Sequence, residues 1–196
     1  GEFHGNIDDM WGGFILEHAS DQTTFEYVRI SGAYQMYVTN SVLSSGGGMR
    51  LYSSNPTLTH VTISNNTTFN SGGGMFLEYS DPNLTHVIIS NNTAYLGTGG
   101  GMHLDNSDPN LTHVTISNNT DGGGMYLWHS NPTLTHVTIS NNADVAGDWG
   151  GMTLDNSNPT LTHVTISNNT DGGMTLYNSY PTLTNSIIWG NSPASF

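Results

Sequence analysis

One eighteen-residue phrase is written five times in this chain: residues 49–66 (MRLYSSNPTLTHVTISNN), 75–92, 102–119, 125–142 and 152–169. Self-similarity at a fixed period is the mark of a solenoid, in which each repeat buries its apolar face only against its neighbours. Successive methionines from Met49 to Met174 are 26, 27, 23, 27 and 22 residues apart. The difference falls between the Asn-Asn pair and the next Gly-Gly-Met, so insertions sit on one edge of the stack. Weaker copies flank the five at residues 14–33 and 174–191. In residues 34–45, Asn40-Ser41-Val42-Leu43 echoes Asn185-Ser186-Ile187-Ile188, and this stretch reads as a shortened coil.

Inside a repeat, apolar and polar positions alternate, as in Met49-x-Leu51 and Val61-x-Ile63. Period two means strands. Leu58 and Val61 are three apart, which breaks the alternation and demands a bend between them. Three short strands with corners wrap once around an axis. The fold class read from this pattern is all-β, a parallel β-helix of about seven coils with interior rows of Met, Leu, Leu, Val and Ile. In the Asn-Asn pair, the first column (Asn65, Asn91, Asn118, Asn141, Asn168) has Gly32 and Gly190 as its counterparts. Asn and Gly tolerate a left-handed backbone, so this column predicts a turn with positive φ. The second column (Asn66, Asn92, Asn119, Asn142, Asn169, Asn191) predicts an amide ladder along the axis. Triplets such as Asn65-Asn66-Thr67 match the glycosylation acceptor pattern, which acts only in a host that uses it.

The pattern GG-M-x-L-x-x-S-x-P-T-L-T-x-V-x-I-S-x-N resembles the right-handed parallel β-helix repeats of bacterial secreted and cell-surface proteins, among them adhesins, autotransporter-like passengers and polymorphic outer-membrane proteins. The likeness covers about residues 11–191 and implies a right-handed helix in an extracellular or cell-surface setting. It leaves activity open, since this fold serves lyases, glycosidases, tailspikes and passive stalks alike. One domain is expected, with residues 1–10 as an N-terminal cap or cloning remnant, 11–191 as coils and 192–196 as a tail.

Two arginines, no lysine and fifteen acids leave a formal charge of -13. Nucleic acid and anionic membrane are therefore excluded as partners, and no apolar run is long enough to insert in a bilayer. The chain has no cysteine, which agrees with a secreted bacterial solenoid.

Chemistry is sought first on the strand after the glycines. Its outward positions vary most between copies and lie beside the loops of variable length, where binding evolves on repeat scaffolds. Acids interleaved with aromatics suit sugar rings, because aromatic faces stack on CH surfaces and carboxylates accept from hydroxyls. Tyr52, Glu78, His103, Asp105, Tyr126, Trp128 and Asp155 are the predicted carbohydrate contacts. Glu78 and Asp105 stand on adjacent coils, roughly 5 Å apart, near the separation of a retaining glycosidase pair. Any two acids in one column acquire that spacing, so a non-catalytic surface or adhesive module is the expectation. In the family the lyases use a basic residue as proton abstractor, often with calcium; with no lysine here, His103 or a tyrosine would have to substitute.

The rival face carries Thr57 and Thr59, Thr85, Thr112, Thr133 and Thr135, Thr160 and Thr162, Thr182 and Thr184, with Asn83 and Asn110 in the first column. These outward Thr/Asn-x-Thr columns resemble the Thr-x-Thr faces of β-solenoid ice-binding proteins. Thr is also simply a good strand former. A third column, His60, His86, His113, His136 and His163, falls at the corner after the threonines, continued by Asn185 and Tyr27. Protonation would set like charges in a row, so a thermal midpoint falling from about pH 7 to about pH 5 is expected. No carboxylate or thiolate recurs beside the column to complete a metal shell, and the Gly-Gly-x-Gly-x-Asp calcium repeat is absent. A single local ion at Asp144 and Asp148, beside Trp149, is the one metal site left open; no metal or cofactor is otherwise expected. Polar residues 2–10 predict a cover for the first coil, and the thin stretch after Trp189 predicts either a natural chain that continues or copies that stack end to end.

Overall fold

Successive copies stack in register, residue upon residue. The computed structural model describes residues 2–4, 12–35, 45–145 and 149–192, the first three by backbone alone. The methionine sheet has seven parallel strands, from Phe14–Glu17 through Met49–Tyr52, Met75–Glu78, Met102–Asp105, Met125–Trp128 and Met152–Asp155 to Met174–Tyr177. The threonine sheet has seven, from Thr24–Glu26 and Thr57–Thr59 to Thr182–Thr184. The serine sheet, from Arg29–Ser31 and Thr62–Ser64 to Ile187–Trp189, gains an eighth because Glu2–His4 pairs with Arg29–Ser31. Seven coils result, each giving one strand to each sheet.

No separate coil of the kind expected from residues 34–45 stands between the first coil and the second. Phe14–Glu17 pairs directly with Met49–Tyr52, and Arg29–Ser31 with Thr62–Ser64, so no space for a coil separates them. Tyr34–Gln35 instead closes the first coil, pairing with Thr67–Thr68, which in turn pairs with Thr93–Ala94. The first three coils thus carry a fourth, two-residue strand beyond the three expected. The echo at Asn40 to Leu43 lies outside the described residues, as do positions 5–10 of the expected cover and positions 193–196 of the tail.

The interior rows are as the alternation predicts. Met49, Leu51, Leu58, Val61 and Ile63 are each 0% exposed, and their equivalents in the next four coils are at most 1% exposed. Leu58, Leu84 and Leu111 are register partners inside one core. Burying one such side chain is worth about 1.5–3 kcal/mol, and no sheet could hold these rows alone.

Corners are set by left-handed residues. His60 has φ 54°, which supplies the bend between Leu58 and Val61, and His86, His113, His136 and His163 repeat it at 54°. The first Asn column sits at 55–56°, with Gly32 at 73° and Gly190 at 65°. A third left-handed column, His18, Ser53, Tyr79, Asn106, His129, Asn156 and Asn178, closes the methionine strand at 46–50°. Its mixed composition hid it from the alignment. Such a conformation costs a residue with a Cβ about 1–2 kcal/mol, and ladders along the axis hold it in place. In the second Asn column each Nδ2 donates to the next Oδ1, at 3.0 Å from Asn66 through Asn142. Ser54, Ser80, Ser107, Ser130, Ser157 and Ser179 form a second buried ladder, each Oγ from Ser80 onward accepting the preceding coil's serine N–H at 2.9–3.1 Å. The histidine rings stack at centroid distances of 4.8–4.9 Å but stand exposed at their corner.

Candidate functional site

The outer face of the methionine sheet divides into two columns with opposite fates. The first, Arg50, Phe76, His103, Tyr126 and Thr153, is roofed over. Arg50 is 4%, Phe76 6%, His103 9% and Thr153 1% exposed, and Tyr126 is half-buried. The roof is the glycine turn ahead of each strand. Gly46 and Gly72 have φ of 79° and 71°, and a Cβ on either would come within 2.9 Å of the Arg50 or Phe76 side chain. Only glycine allows so close a cover. Beneath it the rings pile up, Phe76 on His103 at 4.9 Å and His103 on Tyr126 at 5.1 Å. Thr98 Oγ1 meets His103 Nδ1 at 2.8 Å. Burial lowers the His103 pKa to about 4, against the opposing pull of Thr98. His103 was expected among the sugar contacts, and burial removes it from the accessible surface. It is a packing residue, and the same burial denies a lyase mechanism its histidine base.

The second column stays open: Tyr52, Glu78, Asp105, Trp128, Asp155 and Tyr177 succeed one another one coil apart by strand register. Trp128 is 40% and Tyr177 47% exposed, while Tyr52, Glu78, Asp105 and Asp155 are half-buried. Asp105 Oδ1 accepts from Asn106 at 2.6 Å and Asp155 Oδ1 from Asn156 at 2.8 Å. Both donors belong to the third left-handed corner, so the turn aims each amide at its neighbour's carboxylate. Trp128 therefore stands between two oriented carboxylates. Glu78 is engaged by Arg50 at 3.1 Å, and Arg50 also reaches Glu17 at 3.3 Å and lies 5.9 Å from the Tyr52 ring centroid. Glu78 and Asp105 are register partners as predicted, yet the guanidinium on Glu78 makes them unequal, an arrangement for ion pairing more than for paired acid and base work.

Several residues of this face were missed in the sequence. Tyr79, 56% exposed, meets Tyr52 edge to face at 6.2 Å, His18 does so from the other side at 5.2 Å, and His129 lies 5.0 Å from Trp128. All three occupy the unrecognised corner column. Tyr126 reaches its neighbour column by hydrogen bonding Asp155, and burial together with that carboxylate raises its pKa.

Beside the roof, the long loops frame a cleft of about 590 Å³ lined by Tyr95, Leu96, Asp121, Asp144, Val145 and Trp149, among others. Trp149 packs edge-on against Tyr126 at 5.5 Å and Tyr177 at 6.3 Å, joining the cleft to the open column. Asp144 is buried and accepts the Gly122 N–H at 3.0 Å. Burial, then the charge of Asp144, raises the Asp121 pKa. Asp148, named with Asp144 for a local ion, lies outside the described residues. Among the described residues no three His, Asp or Glu side chains converge as a metal shell would require.

The threonine face is a separate surface. Thr57, Thr59, Thr85, Thr112, Thr135 and Thr162 are half-buried, whereas Thr133, Thr160, Thr182 and Thr184 are exposed. Asn110 Nδ2 donates to Asn83 Oδ1 at 3.2 Å along the first column. From the second coil to the seventh these two columns carry no charge; Glu26 marks the first coil.

Residues 84–196 match a family model described as a right handed beta helix region. One solved structure, of HetL, a pentapeptide repeat protein involved in heterocyst differentiation regulation from the cyanobacterium Nostoc sp., aligns over 93% of this chain and 94% of its own at 13% identity and a TM-score of 0.16. A likeness that slight bears on neither fold nor function. No curated protein matches the chain.

Proposed function

The chain belongs to the right-handed β-helix family, matched over more than half its length, and from that premise we propose that it is a non-catalytic extracellular surface module whose ligand is carbohydrate. The observation that carries this reading is Trp128 between the amide-held carboxylates of Asp105 and Asp155. A ring that is 40% exposed offers a face for sugar CH groups, and carboxylates one coil away accept hydroxyls on either side. Tyr52, Glu78 and Tyr177 extend the track, with Tyr79 joined to it at Tyr52. Tyr126 acts from beneath, by orienting Asp155.

A glycan array tests it. Wild type should retain at least one class of oligosaccharide, and Trp128→Ala should weaken that binding about tenfold, the scale of one aromatic contact. Release of reducing ends from the bound glycan would replace the adhesive reading with an enzymatic one.

The uncharged threonine face favours a second reading. Hydroxyls and methyls there recur about 4.8 Å along the axis and about 6.6 Å along each strand, a regular two-dimensional array that can order water into an ice-like layer. Thermal hysteresis separates the two readings: ice shaping that disappears in Thr135→Tyr would give precedence to the threonine face.

A further inference from the structure

The charge balance of the open column narrows the ligand. The chain holds only two arginines. Arg29 lies on the serine sheet, and Arg50 is 4% exposed with both its ion pairs spent on Glu17 and Glu78. Asp105 is held by the Asn106 amide, and Asp155 by the Asn156 amide and the Tyr126 hydroxyl, neutral donors that orient a carboxylate without neutralising it. The adjoining cleft repeats the pattern, with Asp121 and Asp144 set among Tyr95, Leu96 and Trp149. There burial, and after it the neighbouring Asp144 carboxylate, raises the Asp121 pKa, which places the two acids close together in the cleft. A uronate or sulfated chain would meet this field as a like charge, and a neutral glycan would leave it uncompensated.

We infer that the glycan taken by this face carries free ammonium groups, as a polymer of unacetylated amino sugar does, with Asp105 and Asp155 receiving the cations on either side of Trp128. The inference rests on the carbohydrate reading above. Aromatic rings beside carboxylates serve an ammonium twice, since the ring faces also attract cations. Sugars bearing these groups can place a charge against each aspartate while the ring between them lies on the indole.

The probes are matched oligomers of β-1,4-linked glucosamine, fully deacetylated or fully N-acetylated, and an oligouronate of equal length, titrated against the whole chain. The deacetylated oligomer should bind about tenfold tighter than the acetylated one at low salt, two surface charge pairs being worth about that much. The gap should shrink as salt is added. Asp105→Asn with Asp155→Asn should close the gap, weakening the deacetylated oligomer about tenfold more than the acetylated one, which loses only its hydroxyl contacts to the two carboxylates. Asp81→Asn with Asp108→Asn, on the next corner, should leave it open. Equal affinity for both oligomers, preference for the uronate, or a gap lost equally in the Asp81 and Asp108 variant would overturn the inference while leaving the carbohydrate reading intact. No oligosaccharide binding by the folded chain would overturn both.

Discussion

At the scale of single residues, His103 shows how a side chain that looks functional can be structural. Its ring lies between Phe76 and Tyr126 under a glycine roof, and burial holds its pKa near 4 against an ordinary 6.5. The folded state therefore takes up a proton less readily than the unfolded chain. Its full contribution to stability is present above about pH 6.5 and is lost progressively as pH falls from there toward 4, a total of about 3 kcal/mol at 1.36 kcal/mol per pKa unit. Thermal unfolding of wild type and His103→Phe at a series of pH values checks this. Phe keeps the stack and cannot protonate, so the difference between the two proteins should grow through that window in favour of the variant. Parallel profiles would show that His103 is not desolvated as described.

At the scale of elements, the amide ladder ties one coil to the next. Asn119 accepts from both the main-chain N–H and the Nδ2 of Asn92 and donates to Ile89 O and Asn142 Oδ1, all at 3.0–3.1 Å and all buried. Asn119→Ala strands those partners where water cannot replace the lost bonds, at about 1–3 kcal/mol for each buried group left unpaired. Urea unfolding should place the loss at about 3 kcal/mol or more. Asn118→Ala serves as the comparison: it is exposed, has φ 56°, and should cost only the left-handed backbone penalty of about 1–2 kcal/mol. The glycines before each methionine belong to the same device. A Cβ on Gly124 would meet Gly151 O at 2.5 Å and the Asn142 amide at 2.8 Å, so the ladder and the close turn require one another.

For the whole molecule, the two ends differ. Glu2–His4 covers the serine-sheet edge of the first coil, whose Phe14, Leu16 and Phe25 are partly buried. In the last coil Leu176, Leu183 and Ile188 belong to rows that are buried elsewhere, yet they are 48%, 42% and 45% exposed. Residues 172–196 hold no charged side chain, so the repulsion expected of a chain at -13 is weakest around this coil. Concentration-dependent association is the expected outcome, read by light scattering over a concentration series and suppressed by Leu183→Glu. A monomer at every concentration would remove self-association through this coil.

The repeat determined by itself the strand period, the interior rows, the left-handed Asn column and the amide ladder. Each of these is a column property: when one coil lies on the next, identical residues meet, and the chemistry of a position can be read from its copies. The bend between Leu58 and Val61 was legible for the same reason, and His60 proved to be the residue that makes it. What only the tertiary structure decided lies where the copies disagree. Burial of Arg50, Phe76 and His103 comes from loops that fold back over the sheet, and nothing in an alternating strand reports what covers its outer face. Direct pairing of the first coil with the second displaced the coil expected at residues 34–45, because a local echo of sequence cannot reveal whether the sheets leave room for it. The corner occupied by Tyr79, Asn106 and His129 stayed hidden because a left-handed backbone constrains φ, which His, Ser, Tyr and Asn can all satisfy once the ladders hold them there.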